Sequence, residues 1–500
     1  MVDDSWQTTL QLSAGPAPLC RRISASVIAA LADGTLAAGD ALPPTRQLAR
    51  HLGVSRGVVV AAYEELGAAG FVEARTGAGT FILAGADLAA AAARNASTDR
   101  SAHAALPHTG PITTRSQQSA GKANAASGDR ADSAKTGATE LDLRPGQAEP
   151  GLIVTGDWRA AWRYAASTPA RAQALSTVRH PELQQALATH LRRFRGIPVT
   201  GEDVVVVPGA SAAFTLLAVA AQLAGRSVGV EEPGYRRVRY ALGRCGALIR
   251  PVPVDADGLD PRLLHDDACV YVTPAHQYPL GSRMPVARRA ELLNWAERQG
   301  SLIIEDDYDG EFRYGVPPMP AVCSMKGARD RVAYVGTASK VLTPDLGLAW
   351  VVPPPELVTA VRQAQDDVAL GASPVAARAL ARLIDTGALS RHLARAGRLY
   401  RARRDALVRA LSPTVPDVQV SGVEAGIHLV AMMEPHVDDV ALVERLDAMG
   451  LKVEPLSRYY VGRGRSGLVI GYARLPESLA GQAGDHRVAT GRTHAQRWTH

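Results

Sequence analysis

Apolar residues return every fourth position early in the chain, at Leu19, Ile23, Val27 and Leu31, which lays one oily stripe along a helix. The stretch GTLAAGDALPP (34–44) interrupts it, and its two prolines end any strand before Thr45 opens a second helix with Leu48, Ala49 and Leu52 inward. Gly53 breaks that helix, and Ser55 is placed to cap a third, which turns Val58, Val59, Ala62 and Leu66 inward. Helix, glycine turn, helix is a unit whose second helix can enter a DNA major groove. FVEAR, the turn TGAG and TFIL (71–83) then read as a two-stranded wing.

Past this point the pattern changes twice. From Gly85 to Thr139 the chain is Ala, Ser, Thr, Gly and Asp with almost no large apolar residue, so it cannot bury enough surface to offset its ordering entropy. From Leu141 onward, short apolar runs alternate with helical stretches. VVVV (204–207), VGV (228–230), IRPVPV (249–254), CVYV (269–272), LIIED (302–306) and VAYV (332–335) are separated by amphipathic segments such as 288–299. Continuous apolar strands between helices imply a largely parallel sheet covered on both faces. The chain is thus multidomain: 17–84 a winged helix-turn-helix head (α+β), 85–140 a flexible linker, 141–480 an α/β body, and 481–500 a polar, aperiodic tail expected to be disordered.

Five hundred residues exceed one compact core, in keeping with that division. A net charge of +6 permits nucleic-acid contact without requiring it. Four scattered cysteines, without CxxC spacing, suggest neither a zinc site nor a disulfide framework and fit a reducing, cytoplasmic setting. The N-terminus MVDDSW has acid where a signal peptide needs base, and no apolar run approaches membrane-spanning length, so no membrane partner is expected.

Candidate chemistry gathers in the body. Lys340 ends GTASK (336–340) directly after an apolar strand, where a lysine can form a Schiff base with an aldehyde cofactor. Asp306 in LIIEDDYDGEF is placed to hold a pyridine nitrogen protonated, and Tyr308, two residues on, shares its face if the strand persists that far. Asp307 and Asp309 read as loop acids. PGASAAF (208–214) puts a glycine turn before a helix, whose first N–H groups suit a phosphate. EEPGY offers Tyr235 to cover a ring, and TPAHQYPLG places His276 and Gln277 just past a strand end. His428 reads as structural.

The head, through LPPTRQLARHLGVSRGVVVAAYEEL and GFVEARTGAGTF, resembles GntR-type bacterial regulators. By that resemblance Arg46, Ser55, Arg56 and Gly57 face DNA, with Arg75, Thr76 and Gly77 at the wing; Arg50 and His51 read as ordinary surface. The body resembles the fold-type-I aminotransferase family, dependent on pyridoxal 5'-phosphate. Joined, the two resemble a MocR-type (GntR superfamily) PLP-dependent transcriptional regulator. The resemblance implies Lys340 as the Schiff-base lysine, Asp306 on the ring nitrogen, Tyr308 and Tyr235 beside the ring, and His276 or Gln277 near it. It implies phosphate held by Ala210, Ser211, Thr337 and Ser339, with Ser211 as a mere helix cap the competing reading. Arg237 and Arg458 match places where the family clamps an effector carboxylate. The implied partners are double-stranded promoter DNA, an amino-compound effector and a second copy, head to tail. The chain departs from the family at Gly347, where an arginine seven residues past the lysine usually grips the phosphate. A working aminotransferase with a DNA-binding head is the alternative function, and a cofactor-free dimerisation scaffold a third.

Overall fold

The computed structural model describes residues 10, 12, 18–68, 71–75, 79–83, 86, 90, 140–167, 169, 179–316, 319–411 and 419–476. The head consists of α1 (Leu19–Ala32), β1 (Ala41–Leu42), α2 (Thr45–His51), α3 (Arg56–Ala68), β2 (Val72–Arg75) and β3 (Gly79–Ile82). Ile23, Val27 and Leu31 are buried as the spacing predicts, and meet Leu48, Val59, Ala62 and Leu66 in one core. Leu19, at the first helical position, is instead exposed, because the covering elements begin a turn later. Tyr63 donates its hydroxyl to the Pro43 carbonyl at 2.8 Å, tying α3 to the proline turn. The wing gains a third strand, β1, paired antiparallel to β3. Ala86 and Ala90 pack on the same core. Residues 85, 87–89 and 91–139 of the expected linker and the tail 481–500 lie outside the described residues.

The body is built on an eight-stranded sheet. Its elements are α4 (Pro181–Phe194), β4 (Val205–Val207), α5 (Ala210–Ala220), β5 (Ser227–Glu232), α6 (Arg236–Arg244), β6 (Leu248–Asp255), β7 (Gly258–Leu259), β8 (Cys269–Val272), α7 (Val286–Gln299), β9 (Leu302–Asp307), β10 (Val332–Thr337) and β11 (Ala349–Val352). The strand order is β4-β11-β10-β9-β8-β5-β6-β7. The run from β10 to β6 is parallel, whereas β11 is antiparallel to both its neighbours and β7 closes the far edge antiparallel. The hydrophobic pattern did not mark β11, since LGLAWVV follows the lysine loop without a helix between. Strands are apolar on both faces because both are covered: α4 and α7 lie on one side and α5 and α6 on the other, with Ile303 facing one core and Ile304 the other.

After α8 (Val358–Asp367), α9 (Pro374–Asp385) and the long α10 (Ala388–Leu411), the chain forms a smaller antiparallel sheet. It comprises β12 (Gln419–Ser421), β13 (His428–Met432), β14 (Glu454–Pro455) and β15 (Gly467–Gly471), in the order β12-β13-β15-β14.

The head rests on the body through α3 and α10. Arg193 on α4 pairs with Glu65 at 3.1 Å and donates to the Arg21 carbonyl at 3.0 Å, while Ser24 donates to the other oxygen of Glu65 at 2.9 Å. Arg401 pairs with Glu73 at 3.1 Å and Arg398 with Glu64 at 3.5 Å. The seam is acidic on the head and basic on the body.

Candidate functional site

Parallel strands end together, so β8, β9 and β10 deliver their C-terminal residues to one place. In register, Asp306 lies beside Val335 and Asp307 beside Gly336, which brings the end of β9 next to the loop that carries Lys340. The Lys340 amine donates to the Gly146 carbonyl at 2.6 Å. Burial, and then the charge of Arg237, hold that amine below the ordinary lysine range, which favours the neutral, nucleophilic form. Asp306 is buried and accepts from the Tyr271 hydroxyl at 2.7 Å. Burial pushes its carboxyl up to about 7. No cation pairs with it among the described residues, so a protonated ring nitrogen would supply the missing partner.

Strand β9 stops at Asp307, so Tyr308 stands just beyond it. Its hydroxyl donates to the His276 carbonyl at 3.0 Å and lies 2.9 Å from His276 Nδ1. His276 Nδ1 also faces Asp309 at 3.1 Å, which fixes the proton on that nitrogen. Asp309 is therefore no solvated loop acid but a buried support for the histidine that holds Tyr308. Asp307 is likewise buried, ion-paired with Arg195 and accepting from Tyr334 at 2.7 Å. Gln277 is occupied elsewhere, donating to the Pro233 and Tyr278 carbonyls at 2.9 Å each and accepting from Leu280 N at 3.1 Å. Of the two sequence candidates, His276 is thus the one that touches Tyr308. His428 is bonded to the Pro279 carbonyl at 3.0 Å, in keeping with a structural role.

Tyr278 was missed by the sequence reading. Its ring stands edge-on to Tyr235 at 5.7 Å, Tyr308 at 5.5 Å and Tyr459 at 5.3 Å, making it the hub of an aromatic wall. The available signal was its place in TPAHQYPLG, one residue past Gln277. Tyr235 caps the start of α6 and is half-buried, as a ring-covering aromatic requires.

At the other end, Gly209 takes φ 96° and turns β4 into α5, a conformation that favours glycine. Ala210 and Ser211 occupy the first turn, so their backbone N–H groups are open to an anion; Ser211 is exposed and is not the cap, a place taken by Gly209. Thr337 donates to the Leu348 carbonyl at 3.4 Å and accepts from Ser339 N at 3.2 Å. These groups fit a phosphate by dipole and hydrogen bond. Gly347 adds none: it lies at φ 56°, and a Cβ there would meet nothing within 4 Å. Arg237 is exposed at the start of α6, with its charge felt at Lys340 and Tyr235. Arg458 is exposed on the short helix Leu456–Tyr459, and no contact joins it to these residues.

On the head, Arg46, Ser55, Arg56 and Gly57 are all exposed at the starts of α2 and α3, and Arg56 donates to Thr45 at 3.4 Å. The C-terminal half of α3 is the part that meets the body, so this surface stays open. Arg75 closes β2 opposite Gly79; Thr76 and Gly77 lie outside the described residues.

A groove-reading head joined to a body of the pyridoxal-enzyme type is the class that fold and site define. The family model for aminotransferase class I and II matches residues 147–478, and that for bacterial regulatory proteins of the gntR family matches 19–82. The chain is 32% identical to the HTH-type pyridoxine biosynthesis transcriptional regulator PdxR of Corynebacterium glutamicum, covering 92% of this chain and 93% of that one. It is also 32% identical to the probable rhizopine catabolism regulatory protein MocR of Rhizobium meliloti, over 92% and 90%. An archaeal alanine:glyoxylate aminotransferase superposes with a TM-score of 0.66 at 22% identity, over 71% of this chain and 92% of that one. The chain belongs to the MocR-type regulators, GntR-headed transcription factors with an aminotransferase-like body. It is a DNA-binding transcriptional regulator, and its fold implies pyridoxal phosphate. Among the described residues no helix is long and apolar enough to cross a membrane.

Proposed function

We propose that the body binds pyridoxal 5'-phosphate as the sensory element of a promoter-binding homodimer, and that an amino compound acts there as effector. The observation that carries this is the Lys340 amine, half-buried on a glycine carbonyl, near a buried Asp306 that has no ion pair among the described residues. When bound, the cofactor supplies an aldehyde that condenses with primary amines. Lys340 is its covalent anchor, Asp306 holds the ring nitrogen's proton, and Tyr308, held by His276 and Asp309, presents its hydroxyl to the ring. Tyr235 and Tyr278 wall the ring; Ala210, Ser211, Thr337 and Ser339 take the phosphate. Arg237 is placed to receive an effector carboxylate, whereas Arg458 has less support. Arg46, Ser55, Arg56 and Gly57 contact DNA, with Arg75, Thr76 and Gly77 at the wing.

An effector shifts the head only by binding two arrangements with different affinity. The seam between α3 and α10 is the surface at which those arrangements differ, whether offered by the same chain or, head to tail, by a second copy. Two measurements test the reading. Titration with pyridoxal phosphate should raise a visible absorbance band that the Lys340→Ala variant lacks. Sequencing the genomic DNA retrieved by the purified protein, with and without the cofactor, should give different enrichment at shared sites. Because Lys340, Asp306 and Tyr308 are the residue types such chemistry needs, an active aminotransferase is the second reading; robust multiple turnover on a panel of amino acids would favour it.

A further inference from the structure

Beyond the cofactor groups, two charges of opposite sign stand near the site without an ion pair among the described residues. One is Arg237, exposed, with neither a hydrogen bond nor an ion pair among the described residues. The other is Glu454 on β14, half-buried, accepting through Oε2 from the Tyr459 hydroxyl. Its Oε1 carries no hydrogen bond, and no cation pairs with it among the described residues. Tyr459 in turn meets the Tyr278 hydroxyl at 3.0 Å, so a chain of polar groups runs from the aromatic wall to a free carboxylate oxygen. The charges of the carboxylate and of Arg237 both act on the Lys340 amine, in opposite senses.

A half-buried carboxylate with one oxygen open favours a cation through its charge. It disfavours a ligand that carries only a carboxylate beyond its reacting amine. Arg237 has the complementary preference. Resting on the reading that the body is loaded with pyridoxal phosphate, we propose that the effector is a dibasic amino acid. One amine faces Lys340, the carboxylate lies on Arg237, and the second ammonium sits on the open Oε1 of Glu454.

The test uses the full chain loaded with pyridoxal phosphate, with calorimetry and the shift of the visible band as parallel readouts. L-Lysine and L-ornithine are compared with L-norleucine and L-norvaline, which lack the second amine, and with cadaverine and putrescine, which lack the carboxylate. The dibasic acids should bind at least about tenfold tighter than either truncated set, as one charge-assisted contact implies. Glu454→Gln keeps an acceptor for the Tyr459 hydroxyl while removing the charge. It should bring the lysine-to-norleucine ratio towards one. Arg237→Gln should instead collapse the lysine-to-cadaverine ratio. A normal band with lysine and norleucine binding equally, or a ratio unmoved by Glu454→Gln, would overturn this inference alone. Absence of the band in the unliganded wild type would overturn the reading of the site and this inference with it.

Discussion

Burying Asp306 has a measurable consequence in the cofactor-free protein. Its folded carboxyl titrates at about 7 instead of the ordinary 3.8, so the folded state keeps a proton that the unfolded chain releases. Stability therefore falls as pH rises from about 4 to about 7, by roughly 4 kcal/mol at most. Denaturant unfolding of the cofactor-free chain at both ends of that window should show this loss, and Asp306→Asn should lessen it, leaving the share of Glu231, whose burial likewise pushes its carboxyl up to about 7. An unchanged slope in the variant would mean that the carboxylate is neutralised by another route. Gly347 supports a second prediction. An arginine there has open space around it, and one charge-assisted bond to phosphate is worth roughly 1.5–3 kcal/mol, against about 1 kcal/mol for a left-handed non-glycine residue. Gly347→Arg should thus tighten cofactor binding by about threefold to thirtyfold in a spectroscopic titration. The lysine, the aspartate and Tyr308 were legible because strand ends and glycine turns announce themselves in one dimension. Asp309 and Tyr278 were not, since what they do depends on His276 and Tyr459, residues far apart in sequence that the fold brings together.

Among elements, the parallel strands and the helices of the head were legible from period alone, because each buries a face or stripe of fixed spacing. Strand β11 was not, as antiparallel insertion into a parallel sheet leaves no periodic mark. Nor was the seam between head and body, whose ion pairs join residues more than a hundred positions apart. Those pairs differ in worth. Arg193 and Glu65 are nearly buried, and removing one partner strands a charge, which costs about 3–5 kcal/mol. Arg398 is mostly exposed, and its pair with Glu64 is worth about 0–1 kcal/mol. Limited proteolysis should accordingly show Arg193→Ala freeing the head, while Arg398→Ala leaves cleavage near the wild-type rate. Equal sensitivity in the two variants would place the stability of the seam in its apolar packing.

For the whole molecule, the head's open face must account for promoter affinity. Arg46→Ala and Arg56→Ala should each weaken DNA binding and lower the slope of log affinity against log salt by about one for every phosphate the arginine had neutralised. A variant that weakens binding without changing the slope would point to base recognition instead. On the proposed function, the contacts that could carry a ligand's effect to the head run along α10. Near its start, His392 holds the Val341 carbonyl at 3.0 Å, next door to Lys340. Midway, the Tyr400 hydroxyl accepts from Glu149 N at 2.9 Å, in the same loop whose Gly146 carbonyl takes the lysine amine. One residue later, Arg401 grips the wing at Glu73. From 392 to 401 is about 14 Å of unbroken helix at 1.5 Å per residue. Were an aldehyde to take the ε-nitrogen, the 146 carbonyl would be left begging for a proton donor, and a stiff rod pinned at 392 and 401 would have cause to slide.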